Sequence, residues 1–379
     1  MLNDIKRIGV EDRKIDLFEG QYAVPDGMRY NSYVITDDKI AVFDTVEKSF
    51  TDEWLKNLGE VLDGRNPDYL IISHMEPDHS ANIDAFLRKY PDVTVAASAM
   101  AFIMMKQFYG LDVKNRMMIK DGVSLSLGRH ELKFYSAPMV HWPEVTMTYD
   151  ATEKVLFSAD AFGKFGASDN EKDWLDEARK YYFGIVGKYG AQVQSLLKKF
   201  DGCEISAICP LHGPVIENSV AECIGYYSKW SAYEAEEEGV TLAYTSVYGH
   251  TAEAVKLLAE DLGKRGCKVA VFDLARCDTS EALASAFRYD KLVLATTTYN
   301  THIFPFMNTF IEHLTERNFR NRKVAFIENG TWVPQAMKIM SEKLKDSGLN
   351  FANHSVTIKS ALNEETARNL SELAAELTE

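Results

Sequence analysis

The chain has 379 residues, of which 46% are hydrophobic and 26% charged, and its formal net charge is −14. This length exceeds one typical core of about 150 residues, so the sequence predicts two globular domains. The ordinary composition argues against a largely disordered chain, and the acidic balance argues against nucleic acid or an anionic membrane as a partner, because either would require a basic face.

Compartment and redox state follow from what the sequence lacks. No segment has the apolar core of a signal peptide or of a membrane span. The five cysteines are odd in number and none forms a Cys-x-x-Cys pair, which argues against a disulfide framework, a zinc ribbon and a rubredoxin-type iron site. We therefore expect a cytoplasmic protein with reduced thiols.

The first part of the chain is patterned as short strands and helices in mixed order. Predicted strands cover 31–36, 39–45, 68–73, 93–97 and 205–209, with strand pairs in 121–135 and 145–158, and predicted helices cover 80–89, 170–199 and 219–238. The last helix has an acidic end that stops on Gly239. This pattern predicts a domain boundary, with a first domain at 1–239 and a second at 240–379.

Candidate metal ligands stand where apolar strands of this first domain end. Four of them follow the apolar run at 69–72 within six residues, and three more follow later strands. The seven candidates are His74, Glu76, Asp78, His79, His141, Asp160 and His212. Three carboxylates and three or four imidazoles without a thiolate suit iron or manganese as well as zinc.

Glu76 gives this set its character. The pattern H-x-E-x-D-H resembles the H-x-H-x-D-H signature of the metallo-β-lactamase fold, but a carboxylate stands where zinc hydrolases have a second histidine. The added carboxylate lowers the net charge of the site, which stabilises a ferric over a ferrous pair and favours electron delivery to a bound oxidant. Zinc outcompetes ferrous iron at many such sites, so a zinc hydrolase stays open at this point.

Beyond residue 239 strands and helices alternate regularly. Predicted strands cover 240–244, 268–273, 291–295, 323–327 and 353–358, and the last helix covers 363–377. This alternation is typical of a doubly wound parallel sheet, and we expect the flavodoxin-like strand order 2-1-3-4-5.

Three loops at strand ends of this sheet form a candidate cofactor site. The first loop is Thr245, Ser246, Val247, Tyr248, Gly249, His250 and Thr251; the second is Thr296, Thr297, Thr298, Tyr299 and Asn300; the third is Asn329, Gly330, Thr331 and Trp332. A hydroxyl-rich loop before a helix can bind a phosphate through backbone N–H groups and the helix dipole, although helix capping alone also explains it. Tyr299 and Trp332 could border a flavin ring, so the loops together predict FMN binding.

These motifs resemble the flavodiiron proteins, which are oxygen and nitric oxide reductases, and the resemblance covers the whole chain. It implies a two-domain α/β and α+β fold, in which a metallo-β-lactamase αββα sandwich precedes the flavodoxin-like sheet. It also implies two irons, one bound by His74, Glu76 and His141, the other by Asp78 and His212, with Asp160 bridging them. His79 is a ligand in some members and replaced by water in others, so its coordination stays open.

The resemblance further implies reductive scavenging of dioxygen to water, of nitric oxide to nitrous oxide, or of both. Reduced FMN and a diferrous pair would hold the four electrons that dioxygen requires, whereas two nitric oxide molecules require two. Tyr182 is similar to a tyrosine near the diiron pocket of relatives, but the residues after it, Phe183 and Gly184, depart from the usual ones, so a packing role is the alternative.

Expected partners follow from the same resemblance. A head-to-tail homodimer, or a dimer of such dimers, would place the FMN of one chain against the irons of the other, and rubredoxin or a similar protein would supply electrons. The alternatives are a zinc-dependent hydrolase fused to a flavodoxin-like module and a diiron oxygen sensor. The preferred gas and the true donor are left open by the sequence.

Overall fold

The computed structural model describes residues 4–379, so the first three residues of the predicted first domain lie outside the described part. The chain divides into two compact units, one ending at Ser228 and one spanning Lys229–Glu379. The predicted division at 239 and 240 concerns functional domains and stays a prediction. No helix within residues 4–379 combines the length and the apolar character needed to cross a membrane.

The first unit contains fifteen strands among its described residues. They are β1 (Ile5–Arg7), β2 (Val10–Asp12), β3 (Leu17–Phe18), β4 (Tyr22–Ala23), β5 (Met28–Tyr30), β6 (Tyr33–Thr36), β7 (Ile40–Phe43), β8 (Tyr69–Ile71), β9 (Thr94–Ala97), β10 (Arg116–Met118), β11 (Ser124–Ser126), β12 (Glu131–Ser136), β13 (Thr146–Asp150), β14 (Val155–Phe157) and β15 (Ala207–Cys209). The helices are α1 (Thr51–Leu62), α2 (Pro77–Ser80), α3 (Ile83–Lys89), α4 (Ala99–Tyr109), α5 (Trp174–Tyr181), α6 (Gly190–Lys199) and α7 (Val220–Ser231).

Two sheets form the framework of this unit. One has the order β1-β6-β7-β8-β9-β10 and the other β11-β12-β13-β14-β15. The predicted hairpin is confirmed, because β6 and β7 pair antiparallel around Asp37 and Asp38. Strands β7 to β9 are parallel, as are β14 and β15. Parallel strands bring their carboxyl ends to one edge, which is where the loops after β8, β14 and β15 begin.

The two sheets pack face to face with helices outside, which confirms the αββα prediction. Phe43 of β7 stacks on Phe157 of β14 with ring centroids 4.0 Å apart, inside a core cluster to which both sheets contribute residues. The other face of the first sheet packs against the buried Trp54, Phe86 and Phe102 of α1, α3 and α4. Helices α6 and α7 lie on the outer face of the second sheet.

The helix predicted over 170–199 is broken into pieces. Helix α5 continues into a π-helical segment at Tyr182–Val186 and a short turn at Gly187–Tyr189 before α6 begins. Gly184 lies in this break, and a Cβ there would lie 3.0 Å from the ring of Tyr22, so a side chain would require that ring to shift. The Tyr22 hydroxyl donates to the Gly184 carbonyl at 2.8 Å.

The second unit contains the parallel sheet. Its strands are β16 (Glu237–Tyr244), β17 (Val269–Asp273), β18 (Tyr289–Tyr299), β19 (His302–Ile303), β20 (Lys323–Asn329), β21 (Asn350–Phe351) and β22 (Val356–Ile358). Its helices are α8 (His250–Lys264), α9 (Thr279–Arg288), α10 (Pro305–Glu316), α11 (Ala336–Leu344) and α12 (Glu364–Thr378). The order β17-β16-β18-β20-β21, with β22 also on β20, confirms the predicted 2-1-3-4-5 arrangement.

The helix predicted over 219–238 ends early, because Glu237 and Glu238 belong to β16. Glu237 pairs with Tyr289 across the sheet, and Arg288 Nε donates to its carboxylate at 2.6 Å. Helices α8 and α12 pack on one face of the sheet, where Leu258 and Leu373 share a core with the strands. The carboxyl ends of β16, β18 and β20 are therefore adjacent.

One histidine away from the predicted ligands belongs to the fold of the first unit. His130 is buried, and its Nδ1 lies 2.6 Å from an Asp150 oxygen, which joins the turn before β12 to the end of β13. Burial acts to lower the pKa of His130, but the hydrogen bond and the charge of Asp150 raise it.

We expect His130→Gln to destabilise the first unit by about 1–3 kcal/mol at pH 6. A raised histidine pKa contributes stability that is fully present below the unfolded value of about 6.5 and is lost as the pH rises through the folded value. The difference in unfolding free energy between variant and wild type should therefore be smaller at pH 9 than at pH 6, measured by urea denaturation. An equal or larger difference at pH 9 would contradict a charged pair.

Candidate metal centre and flavin loops

Asp44 shapes the ligand loop after β8. Its Oδ1 accepts hydrogen bonds from the backbone N–H groups of Ser73 at 2.7 Å and His74 at 3.2 Å. Asp44 is buried, and burial raises the pKa of its carboxyl to about 6 even though these hydrogen bonds oppose the shift. The loop is thus held at its start, and its ligands are carried on a short turn that enters α2.

Four of the predicted ligands form a first cluster. Suitable atoms of His74, Glu76, His141 and Asp160 all lie within 4.8 Å of one another. Nε2 of His141 lies 3.1 Å from Glu76 Oε2 and 3.0 Å from Asp160 Oδ2. Nε2 of His74 lies 3.3 Å from the same Glu76 oxygen. Glu76 therefore lies among the other candidate ligands of this cluster.

The other three predicted ligands form a second cluster, which consists of Asp78, His79 and His212. Nε2 atoms of His79 and His212 face each other at 3.0 Å, and they lie 3.3 and 3.4 Å from Asp78 Oδ2. All seven predicted ligands are brought together, and His79 is inside the second cluster rather than beside it.

Asp160 belongs to both clusters. Its Oδ2 faces the first, at 3.5 Å from His74 Nε2 as well as 3.0 Å from His141 Nε2. Its Oδ1 faces the second, at 3.2 Å from His79 Nε2 and 3.9 Å from His212 Nε2. Asp160 is 1% exposed, so neither oxygen is hydrated by bulk water. One carboxylate thus presents one oxygen to each of two ligand sets.

Buried atoms of the second cluster test whether metal ions fit. Both side-chain oxygens of Asp78, Oδ1 of Asp160 and Nδ1 of His79 are buried without a hydrogen-bond partner among the described residues. A buried acceptor without a partner costs about 1–3 kcal/mol, and more when it is charged. Cations between the two clusters would satisfy the three carboxylate oxygens, so the residues fit a pair of metal ions.

The charges of the site favour cations. Burial acts to lower the pKa of His141, but hydrogen bonds to Asp160 and Glu76 raise it to about 9. Burial likewise acts to raise the pKa of Glu76, but His141 and His74 lower it to about 2. The carboxylates therefore draw positive charge to the imidazoles, and a divalent metal ion supplies that charge without a proton.

Two groups that the sequence did not indicate orient the ligating histidines. A Glu144 oxygen lies 2.7 Å from Nδ1 of His74 and accepts from the backbone N–H of Met75 at 2.8 Å. Nδ1 of His212 donates to the Arg29 carbonyl at 2.8 Å. Both contacts direct Nε2 toward the cluster. Glu144 stands three residues after His141, and that spacing is the only signal that could have found it.

Aromatic rings surround His212. Ring centroids of Phe18, Tyr30 and Tyr181 lie 5.4, 5.8 and 5.5 Å from its imidazole. The predicted tyrosine, Tyr182, instead has its ring against Phe183 and Tyr227. Of the two adjacent tyrosines, Tyr181 is therefore the one that lies next to the second cluster. No sequence pattern reveals which of the two rings faces the second cluster.

The first flavin loop connects β16 to α8. Thr245 and Thr296 hydroxyls lie 2.6 Å apart and join the ends of β16 and β18. Ser246 Oγ accepts from the backbone N–H groups of Gly249 and Ala252 at 3.2 and 3.3 Å. Thr251 is buried, whereas Val247, Tyr248, Gly249 and His250 are exposed. The loop thus presents the amino end of a helix at the surface, as a phosphate site requires.

The other two loops stand beside it. Thr297 donates to the Asn329 carbonyl at 3.2 Å, and Thr298 accepts from Gln335 N at 2.9 Å. The remaining members of these loops are Tyr299, Asn300, Gly330, Thr331 and Trp332, and all of them except Gly330 are exposed. Tyr248 is 90% and Trp332 is 87% exposed, which leaves two large rings uncovered at the switch point of the sheet. These residues fit an aromatic cofactor.

Comparison with known proteins agrees with this architecture. Residues 28–213 match the family model of the ODP family beta lactamase, and residues 242–372 match that of flavodoxin. The anaerobic nitric oxide reductase flavorubredoxin of Shigella flexneri is 28% identical over 363 residues, which span 92% of this chain and 76% of that protein.

Solved structures share the whole fold. The rubredoxin oxygen:oxidoreductase of Desulfovibrio gigas superposes with a TM-score of 0.93 at 24% identity, over 100% of this chain and 97% of that one. The flavodiiron protein of Giardia intestinalis gives 0.93 at 23% identity, over 100% and 95%. A flavoprotein of Thermotoga maritima gives 0.90 at 25% identity, over 98% and 95%.

Fold and site together define a two-domain oxidoreductase that joins a lactamase-like metal domain to a flavodoxin domain. The chain belongs to the flavodiiron proteins. Its cofactors are FMN, which the flavodoxin domain implies, and a non-haem pair of iron ions.

Replacing Asp160 tests the shared carboxylate. We expect Asp160→Asn to reduce bound metal from about two ions per chain to about one or fewer, because an amide offers one neutral oxygen in place of two charged ones. Elemental analysis after purification with added iron measures this. The exposed Asp63→Asn is the control, and unchanged metal content in Asp160→Asn would contradict a shared ligand.

Replacing Glu144 tests the outer contact. We expect Glu144→Gln to weaken metal binding roughly 10–100-fold, because His74 loses a charged acceptor at Nδ1. Chelator competition gives the affinity, and Glu131→Gln, at an exposed position of β12, serves as control. Equal affinities for Glu144→Gln and wild type would show that the contact does not support the metal.

Proposed function

We propose that this chain reduces dioxygen to water, nitric oxide to nitrous oxide, or both, at a diiron site supplied with electrons by FMN. The observation that carries the proposal is Asp160, whose two oxygens face two separate ligand clusters in a chain that also contains a flavodoxin domain. The names of the Shigella and Desulfovibrio relatives, a nitric oxide reductase and an oxygen oxidoreductase, support the same two substrates.

The proposed ligand sets are His74, Glu76 and His141 for one iron and Asp78, His79 and His212 for the other, with Asp160 bridging. His79 is included because its Nε2 lies 3.2 Å from Asp160 Oδ1 and 3.3 Å from Asp78 Oδ2, within the second cluster. A pair of irons held by these residues would supply the redox chemistry. Glu144 and the Arg29 carbonyl hold two of the imidazoles in place.

The surrounding side chains restrict water at the second cluster. Phe18, Tyr30 and Tyr181 pack around His212, and Tyr181 is fully buried, which raises the pKa of its hydroxyl well above its usual range, as do the charges of Asp160, Glu76 and Asp78. A tyrosine that stays protonated can donate a hydrogen bond to a bound oxygen atom. The assignment of this role to Tyr182 stays a prediction, and the packing of the two rings favours Tyr181.

The three loops after β16, β18 and β20 are the proposed FMN site. The phosphate would lie at the amino end of α8, where Ser246 already orders the backbone, and the ring would lie between Tyr248, Tyr299 and Trp332. The two most exposed of these rings have no packing role among the described residues that would explain their position. A cofactor that covers these two rings would remove the free-energy cost of exposing them to water.

A homodimer and an external donor complete the proposal. One face of α4 exposes Met100, Ile103 and Phe108, and Phe108 stacks on Trp142, whose ring meets His74 edge-on at 5.1 Å. This apolar face therefore adjoins the metal centre, where a head-to-tail partner would bring its flavin. Rubredoxin or a similar protein would supply electrons. A cytoplasmic location agrees with five cysteines that are all free thiols.

The test measures cofactors and both gases on one preparation. We expect about two irons and one FMN per chain, and anaerobically reduced protein that is reoxidised in stopped flow by dioxygen, by nitric oxide or by both. Glu76→His should slow reoxidation about tenfold or more, because the site loses the carboxylate that favours the oxidised pair.

Glu60→His, an exposed change on α1, is the control for this variant and should behave as wild type. Bound zinc with no flavin, or reduced protein that neither gas reoxidises, would overturn the proposed function. Unchanged rates with both gases in Glu76→His would refute the role assigned to that carboxylate while leaving the reductase itself intact.

A further inference from the structure

The first unit contains a large cavity outside the metal centre. It has a volume of about 730 Å³ and lies between the outer face of the second sheet and helices α6 and α7. Met147 and Leu156 form its floor from β13 and β14, and Leu196 and Ile224 form its walls. Met147 and Leu156 are almost fully buried, so the floor lies below the protein surface.

The chemistry of the cavity excludes most kinds of ligand. Asp201, Glu217 and Ser228 are exposed and belong to its mouth, and Cys203 and Ser206 are half-buried, whereas the buried floor and inner walls are apolar. A site for an organic molecule normally has a few inward polar groups that fix its orientation. The buried apolar floor offers no such group, and apolar space of this kind can take up small apolar species, of which xenon is the usual probe.

One end of the cavity reaches the loop that carries the bridging carboxylate. Phe162 lines the cavity and stands two residues after Asp160. Its ring stacks on Tyr227 with centroids 4.1 Å apart, and Tyr227 Oη accepts from Phe162 N at 2.5 Å. Ala159 and Phe162 have backbone φ values of 52° and 66°, which residues other than glycine rarely adopt. This loop is therefore held tightly around Asp160. The Phe162–Tyr227 pair is the wall between cavity and metal centre.

From this geometry we infer that the α6–α7 cavity is a binding site and entry route for the diatomic gases, with the Phe162–Tyr227 pair as its inner gate. Dioxygen and nitric oxide are small and nearly apolar, so they concentrate in such a cavity relative to water. The inference rests on the proposed function for the identity of the gas. The cavity itself is independent of that proposal.

Xenon and gas kinetics test the two parts separately. We expect xenon to bind the full-length protein saturably and to shift the methyl resonances of Leu156, Leu196 and Ile224. Ile224→Trp, which fills the cavity from α7, should abolish these shifts and raise the KM for the reduced gas severalfold with kcat unchanged. Leu197→Trp fills it from α6 and repeats the test if the first variant folds poorly. Gln192→Trp, on the exposed face of α6, should match wild type.

Absence of saturable xenon binding would overturn the inference. So would a filled cavity, shown by lost xenon shifts, with an unchanged KM for both gases. If wild type reduces neither gas while xenon still binds, the proposed function fails and the route fails with it, but the cavity remains a site for small apolar molecules. The xenon result therefore distinguishes the two failures.

Discussion

The candidate metal centre depends on one buried carboxylate that two clusters of candidate ligands share. Each oxygen of Asp160 faces imidazoles of a different cluster. Asp160 is buried, so bulk water does not screen its charge. The tight loop around Asp160 fixes this orientation, with positive φ on both sides of the residue. The other candidate ligands come from three further strand ends, those of β8, β12 and β15, so these strand ends must meet at Asp160 for the pair of sites to exist.

The fold meets this requirement mainly with parallel strands, whereas His141 comes from the loop between the antiparallel strands β12 and β13. The loop after β8 supplies four ligands, and the loops after β14 and β15 supply Asp160 and His212. Buried acceptors then hold the imidazoles, as Glu144 does for His74. The same rule operates in the second unit, where the ends of β16, β18 and β20 bring three loops to one switch point. Both sites are thus consequences of sheet topology.

Much of this was predictable from the sequence. Ligand types at the ends of apolar strands predicted seven candidate metal ligands, which the structure gathers into two clusters, and the regular alternation after residue 239 predicted the observed strand order. Long-range contacts were not predictable. Only its spacing from His141 marks Glu144, and that spacing does not reveal its bond to His74, which is seventy residues away. The choice between Tyr181 and Tyr182 beside the second cluster depends on tertiary packing, which brings Tyr181 to His212 and Tyr182 to Tyr227. The early end of α7 depends on sheet pairing at Glu237.

The most direct test of the shared carboxylate is magnetic. In protein loaded with isotopically enriched iron and fully oxidised, Mössbauer spectra in an applied field report whether the two irons are coupled through common ligands. A centre bridged at Asp160 predicts a diamagnetic ground state, with both irons antiferromagnetically coupled. Two independent high-spin ferric signals would contradict it, because they would show that the clusters bind iron separately.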